Sequence, residues 1–126
     1  MLVRQRMISK TILLEWIRNM DPKHQQKLEN ITLSSGAELL TIEEEAKIKA
    51  YLGVFFGEYE IKLLNKLRAD CNGLRGEKPC DGCPSKILIS FGLARFDNGR
   101  GEKLLKATKF AFYEEVLYLL GVIRRF

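Results

Sequence analysis

Residues 71–84 have the sequence CNGLRGEKPCDGCP, which contains all three cysteines of the chain, Cys71, Cys80 and Cys83, among glycines and prolines. A Cys-x2-Cys turn of this kind lets two thiolates face one metal ion, and a third thiolate one loop away supplies most of a tetrahedral site. The stretch lies between two apolar segments with helical periodicity. We therefore predict that residues 71–84 form a zinc knuckle that holds the two halves of the chain together.

The predicted zinc site lacks one ligand, because structural zinc takes four ligands and the chain offers three thiols. The candidates for the fourth are His24, which is the only histidine, the carboxylates of Asp70 and Asp81, or a ligand from a second subunit. Three alternatives to zinc stay open: one disulfide with a free third thiol, three reduced cysteines, or an iron–sulfur cluster. For an iron–sulfur cluster, the chain lacks the Cys-x2-Cys-x2-Cys run that is typical of ferredoxins.

The length of 126 residues predicts a single domain over residues 1–126. The contents of 46% hydrophobic and 29% charged residues are ordinary values for a globular protein. The longest uncharged apolar stretches (50–57, 87–94 and 116–123) are far shorter than the about 20 residues of a membrane span. We therefore expect no membrane partner. No signal peptide is visible, so we expect an intracellular, cytoplasmic location, which includes the cytoplasm of a host cell. Inside cells, clustered cysteines favour metal over disulfide, with hyperthermophiles as the exception.

The segment before residue 41 is predicted to contain two short helices. Apolar side chains recur every four residues over 8–20 and predict the first helix. Asp21 and Pro22 end it and begin the second, with Asp21 as N-cap and Pro22 at the first helical position. This second helix is polar and extends over 23–30. Residues 31–40 are predicted to be a loop.

The longest predicted helix begins with a capping box. Thr41 is its N-cap and Glu44 the matching third helical residue. Apolar side chains at steps of three or four then continue to about Asp70. Two glycines in its interior, Gly53 and Gly57, disfavour a helix by about 1 kcal/mol each relative to alanine. They predict either close packing of another helix against this face, within the chain or across a dimer, or a break at this point.

Two further helices are predicted after the cysteine-containing stretch. Pro84 suits the first helical position of the first one, with Cys83 as its cap. This helix extends over 87–96, although residues 86–91 could equally be a buried strand. Residues 97–101 have turn composition, and the last helix extends over 102–124. The predicted fold class is therefore all-α: a single-domain bundle of about five helices with a central zinc knuckle.

The positive charge of the chain is concentrated after residue 70. The formal net charge is +5, and residues 71–126 alone carry ten lysines and arginines against six acidic residues. On a helix, Lys103, Lys106 and Lys109 would lie within about 120° of one another, and Arg100 would lie just before the helix start, where phosphates bind readily. With Arg95, these residues form a candidate nucleic-acid-binding surface. The alternative is a solvated charged face.

The chain contains no catalytic motif. With one histidine, any Ser-His-Asp or Cys-His arrangement would need His24, and no nucleophile motif accompanies it. Phosphate-binding Gly-x4-Gly-Lys-Ser/Thr and dinucleotide-binding Gly-x-Gly-x2-Gly sequences are absent. We therefore predict a non-enzymatic, basic binding protein whose partner is nucleic acid. The alternative function is that of a helical homo-oligomer or protein–protein adaptor that uses the face of Gly53 and Gly57.

In overall style, the chain resembles the small orphan proteins of hyperthermophilic archaea and their viruses, which are short, basic and helical and carry a knuckle. The resemblance rests on no motif and transfers no functional residue. It implies a thermophilic origin.

Overall fold

The computed structural model describes residues 7–75, 82–99 and 102–124. Within these residues the chain forms six α-helices, three β-strands and one 3-10 helix. In chain order they are α1 (Lys10–Ile17), α2 (Pro22–Thr32), α3 (Ile42–Phe55), α4 (Glu58–Ala69), β1 (Leu74–Arg75), α5 (Pro84–Ser90), β2 (Ala94–Gly99), β3 (Glu102–Ala107), the 3-10 helix (Lys109–Phe112) and α6 (Glu114–Leu119). The chain therefore has a helical region, α1 to α4, followed by a region of mixed structure.

The predicted all-α fold is wrong, because residues 94–107 contain the two strands of a β-hairpin. β2 and β3 pair antiparallel, with Phe96 opposite Leu105 and Ala94 opposite Ala107. These apolar side chains alternate with charged ones along each strand, so they share one face of the hairpin and turn it toward the core. Leu105 is fully buried there. The fold is mixed α/β.

The three strands form one antiparallel sheet in the order β1-β3-β2. β1 lies within the predicted knuckle and pairs with β3, with Leu74 opposite Leu105 and Arg75 opposite Leu104. The central strand, β3, packs on α4. The helix predicted over 102–124 is therefore wrong: it is replaced by β3, the 3-10 helix and the short α6.

The predicted helix starts are confirmed on both sides of the cysteine-containing stretch. Pro22 begins α2 with Asp21 as N-cap, and Pro84 begins α5 with Cys83 as N-cap. At the start of α3, the Thr41 hydroxyl oxygen accepts from the Glu44 backbone N–H at 3.1 Å. The Glu44 carboxylate accepts from the Thr41 N–H at 2.9 Å, which completes the capping box. Because Pro84–Ser90 form α5, the alternative of a buried strand over residues 86–91 is wrong.

The central helix predicted to reach Asp70 is divided into α3 and α4 at Phe56 and Gly57. Gly57 is the N-cap of α4, and its N–H donates to the Glu60 carboxylate at 2.7 Å. A Cβ on Gly53 would meet no atom within 4 Å. The predicted close packing against this glycine face is therefore wrong within the chain, and the alternative of a break is confirmed.

The core joins the two regions. Trp16 on α1 is fully buried, and its indole N–H donates to the Phe91 carbonyl at 2.7 Å. The following residue, Gly92, has φ +70°, and a Cβ there would lie 2.8 Å from the Asn19 carbonyl oxygen. Only glycine allows this approach without strain. The end of α1 is thereby fixed against the turn that leads into β2.

A buried ion pair stabilises the helical region. The Lys10 ammonium lies 3.0 Å from the Glu44 carboxylate, with side-chain exposures of 7% and 3%. Burial alone would raise the pKa of Glu44. Hydrogen bonds from the Thr41 and Ser35 backbone N–H groups, the Thr41 hydroxyl and Lys10 outweigh that effect and hold the pKa well below the usual range of a carboxyl group. This network connects α1, the loop after α2 and the start of α3.

Of the helices formed by the described residues, none is long and apolar enough to cross a membrane.

Candidate nucleic-acid interface

One face of the sheet, which we call the outer face, points away from the core. It carries the side chains that alternate with the core-facing ones: Arg75, Arg95, Asp97, Leu104 and Lys106. Three of these five side chains are cationic and one is anionic. All five are exposed or half-buried. The outer face is therefore a positively charged surface on a rigid, paired backbone.

Two cations of the outer face stand directly opposite each other. Arg95 on β2 is paired in register with Lys106 on β3. Like charges in this position destabilise a sheet. Asp97 compensates in part, because its carboxylate lies 3.1 Å from the Lys106 ammonium. Within the described residues, Arg95 is exposed and has no ion-pair partner, so its charge is available to a ligand.

Gly73, the residue before β1, leaves room for the stem of Lys106. It has φ +88°, and a Cβ there would lie 2.9 Å from Lys106 Cγ and 3.1 Å from the Leu105 carbonyl oxygen. A larger residue would have to displace either the lysine stem or β1. Gly73 is therefore a positioning residue for Lys106.

The structure separates the lysines that were predicted to share one helix face. Lys103 lies opposite Asn98 near the end of the hairpin and projects to the face opposite that of Lys106, because neighbouring side chains of a strand alternate. Lys109 lies beyond the sheet, in the 3-10 helix. Arg100 lies outside the described residues. The prediction of a common helix face is thus wrong: Lys103 and Lys106 lie on opposite faces of β3, and Lys109 lies outside the hairpin.

A cavity at the base of the hairpin brings Arg95 and Lys109 together. Its volume is about 460 Å³, and its lining also includes Asn19 and Thr108. Lys109 already has an internal partner, since its ammonium lies 2.6 Å from the Glu15 carboxylate. That hydrogen bond is the main reason why the pKa of Glu15 is lowered and the pKa of Lys109 raised. A ligand anion at Lys109 would have to compete with Glu15.

The cysteines do not form the predicted knuckle. Cys71 is exposed and free, whereas Cys83 is disulfide-bonded. A cysteine in a disulfide has no thiolate to offer a metal ion. Cys80 lies outside the described residues. Elsewhere in the part of the chain that the structure describes, no group of three His, Cys, Asp or Glu side chains could hold a metal ion. The arrangement agrees with the alternative of one disulfide and a free third thiol, and zinc binding stays an untested prediction.

His24, one of the candidates for the fourth zinc ligand, lies in the aromatic core. Its ring stacks on Phe91 with 4.0 Å between centroids, and Nδ1 forms a 2.7 Å hydrogen bond with the Tyr51 hydroxyl. Phe55 contacts the ring edge-on. Burial lowers the pKa of His24, so the neutral imidazole is favoured. A core role therefore accounts for this histidine.

Sequence reasoning missed one cation of the outer face, Arg75. It was assigned to the knuckle loop, but it belongs to β1 and lies next to Leu104. The available indication was the pair Leu74-Arg75, one apolar and one charged residue, which is too short to predict a strand on its own. Only the pairing of Leu74 and Arg75 with β3 places Arg75 on the outer face.

Comparison of the chain with protein-family models, with curated proteins and with solved structures gave no match.

Proposed function

We propose that the protein binds nucleic acid without catalysing a reaction, and that the outer face of the sheet is its contact surface. The observation that supports this most directly is the placement of Arg95 opposite Lys106. This pairing disfavours the sheet by itself. A polyanion lying across both cations would turn the repulsion into attraction.

The shape of the hairpin supports duplex DNA as the partner. A two-stranded β-ribbon fits the major groove of B-DNA, which is about 12 Å wide. Arg and Lys side chains contact phosphates and fix the position of the protein on the duplex, without reading the sequence. Arg95 and Lys106 on the outer face, with Lys103 exposed near the end of the hairpin, can contact phosphates along the groove. Such a protein would work inside the cell, in keeping with the predicted location.

Salt-dependent binding tests this proposal. In the double variant Arg95→Ala/Lys106→Ala we expect weaker binding to every duplex sequence, and a salt slope reduced by about 0.9 for each lost phosphate contact. The matched control is Lys62→Ala/Lys66→Ala, which removes the same charge from exposed positions on α4. If both double variants bind like the wild type, or if the wild type binds no duplex at low salt, the proposal is wrong.

Asp97 provides a test of opposite sign. Asp97→Asn removes the carboxylate that lies 3.1 Å from Lys106, so the outer face becomes more positive. We expect this variant to bind duplex DNA more tightly than the wild type and with a steeper salt dependence. Unchanged affinity would show that the outer face does not contact the duplex.

A homo-oligomer or adaptor is the second candidate function. It is favoured by two large side chains beside the junction of α3 and α4, Val54 and Tyr59, which are 78% and 72% exposed. Apolar surface of this kind can mark a contact with another protein. A native mass that stays monomeric over a wide concentration range would exclude the homo-oligomer.

A further inference from the structure

A second concentration of positive charge lies in a groove between α2 and α3. The groove has a volume of about 610 Å³, and Lys27, Asn30, Lys47 and Tyr51 are among the residues that line it. A smaller cavity of about 370 Å³ shares Lys27, Asn30 and Tyr51 and continues past Lys23. The larger volume falls within the about 300–1,000 Å³ of small-molecule sites.

No carboxylate lines either cavity. Among the described residues, Lys23, Lys27 and Lys47 take part in no ion pair, and the Asn30 amide has no hydrogen-bond partner. On the opposite side of α3, by contrast, Lys49 pairs with Glu45 at 3.9 Å. The groove thus collects cations and a free amide donor from two facing helices, an arrangement that attracts an anion.

The groove also has an apolar wall, formed by Ile31, Ala50 and Tyr51. The Tyr51 ring is held in place, because its hydroxyl is hydrogen-bonded to His24 at 2.7 Å and its ring contacts Phe55 at 5.3 Å between centroids. Burial raises the pKa of Tyr51, so the hydroxyl stays protonated and adds no negative charge to the groove. A fixed aromatic ring of this kind is a surface on which a flat ligand can stack.

We propose that this groove binds a small phosphate ester that carries an aromatic ring, of the size of a nucleoside diphosphate. The phosphates would lie between Lys27 and Lys47, with the Asn30 amide as a further donor. The ring of the ligand would pack against Tyr51. The groove lies between two helices that do not belong to the sheet, and its limited volume favours a small ligand over a continuous nucleic-acid strand.

Titration of the full-length chain with ADP, followed by calorimetry, tests the site. We expect saturable binding that is about 100-fold weaker in Lys27→Ala/Lys47→Ala, since each lost charge-assisted hydrogen bond accounts for about tenfold. The matched control, Lys62→Ala/Lys66→Ala, should bind ADP like the wild type. Adenosine and pyrophosphate should each bind at least tenfold more weakly than ADP, because each lacks one half of the ligand.

Three results would overturn the proposal. The first is an absence of saturable ADP binding by the wild type. The second is an equal loss in both double variants, which would make the interaction a non-specific effect of charge. The third is binding of a single-stranded oligonucleotide that depends on Lys27 and Lys47 when ADP does not bind, which would make the groove a strand site. Duplex binding should be unaffected by Lys27→Ala/Lys47→Ala, so the two proposals fail independently.

Discussion

The helical region and the sheet use their charges in different ways. In the helical region, Lys10 and Glu44 are buried, paired at 3.0 Å and surrounded by further hydrogen bonds. On the sheet, Arg95 and Lys106 stand exposed or half-buried with like charges opposed. The buried pair neutralises its two charges within the protein, whereas the cations of the outer face remain available to a ligand. Charge placement thus distinguishes the part of the molecule that maintains the fold from the part that can meet a partner.

The largest effect should come from breaking the buried pair. Lys10→Met leaves the Glu44 carboxylate buried without its cation, and we expect a loss of about 3–5 kcal/mol in the free energy of unfolding, measured by urea titration. The control is Lys62→Met, since Lys62 pairs with Glu58 at 3.4 Å in an exposed position. There we expect a change within about 0.5 kcal/mol. Equal losses in the free energy of unfolding for the two variants would show that the buried ion pair matters no more to stability than the exposed one.

Acid should weaken the helical region through the same carboxylate. The pKa of Glu44 is lower in the folded chain than in the unfolded one, so its contribution to stability is complete above the ordinary carboxyl pKa of 4.5 and is lost as the pH falls through the folded-state value. The lowered pKa of His24 adds an earlier loss that begins as the pH falls through its ordinary value of 6.5. Thermal melts from pH 8 down to pH 1 should show both losses. In Glu44→Gln the lower loss should shrink to what other carboxylates with a lowered pKa, such as Glu15, contribute, and a loss of unchanged size would contradict the assignment.

Two glycines should respond to alanine with opposite signs. Gly73→Ala places a methyl group 2.9 Å from Lys106 Cγ at a residue with φ +88°, so we expect a loss of about 1–3 kcal/mol. Duplex affinity should fall as well, because Lys106 is displaced. Gly53 is exposed in α3 with open space around it. There alanine should gain about 0.5–1 kcal/mol. A loss at Gly53 would show that its face is covered by another copy or partner.

The smallest effect on stability should come with a clear effect on binding. Arg95→Thr removes the like charge opposite Lys106, and we expect stability to rise by about 0.2–1 kcal/mol. Duplex affinity should fall in the same variant. Opposite signs for stability and binding are the result that a surface placed for a partner predicts. If stability falls and binding is unchanged, Arg95 serves the fold.

The starts of helices in the helical region can be predicted from the sequence because the residues that determine them act locally. Pro22 and the capping box of Thr41 and Glu44 act on the residues that follow them within one turn, so the starts of α2 and α3 can be found without knowing the fold. The break at Gly57 was one of two readings of the same glycines. What decides between them is whether a neighbouring helix is present, which is a property of the tertiary structure.

The sheet could not be predicted in the same way because its partners are distant. Leu74 and Leu105 become neighbours only when β1 pairs with β3 across about thirty residues, a contact with no local signal. One local indication did exist, in the alternation of Ala94, Arg95, Phe96 and Asp97 before the Asn98-Gly99 pair, which is a hairpin signature. The basic stretch that the sequence predicts to bind nucleic acid includes Arg95 and Lys106 of the outer face. Lys103 and Lys106 lie on opposite faces of the sheet because neighbouring side chains of a strand alternate.

The hydrogen bond from Trp16 to the Phe91 carbonyl gives the molecule an internal optical reporter. Trp16 is the only tryptophan of the chain, lies in the helical region and is anchored to the residue that leads toward β2. Its fluorescence therefore responds to the contact between the two regions, whereas the far-ultraviolet circular dichroism is dominated by the helices. If the sheet separates from intact helices, the emission shifts before the helical signal is lost, and the two regions are distinct cooperative units. If both signals change together, the regions unfold as one.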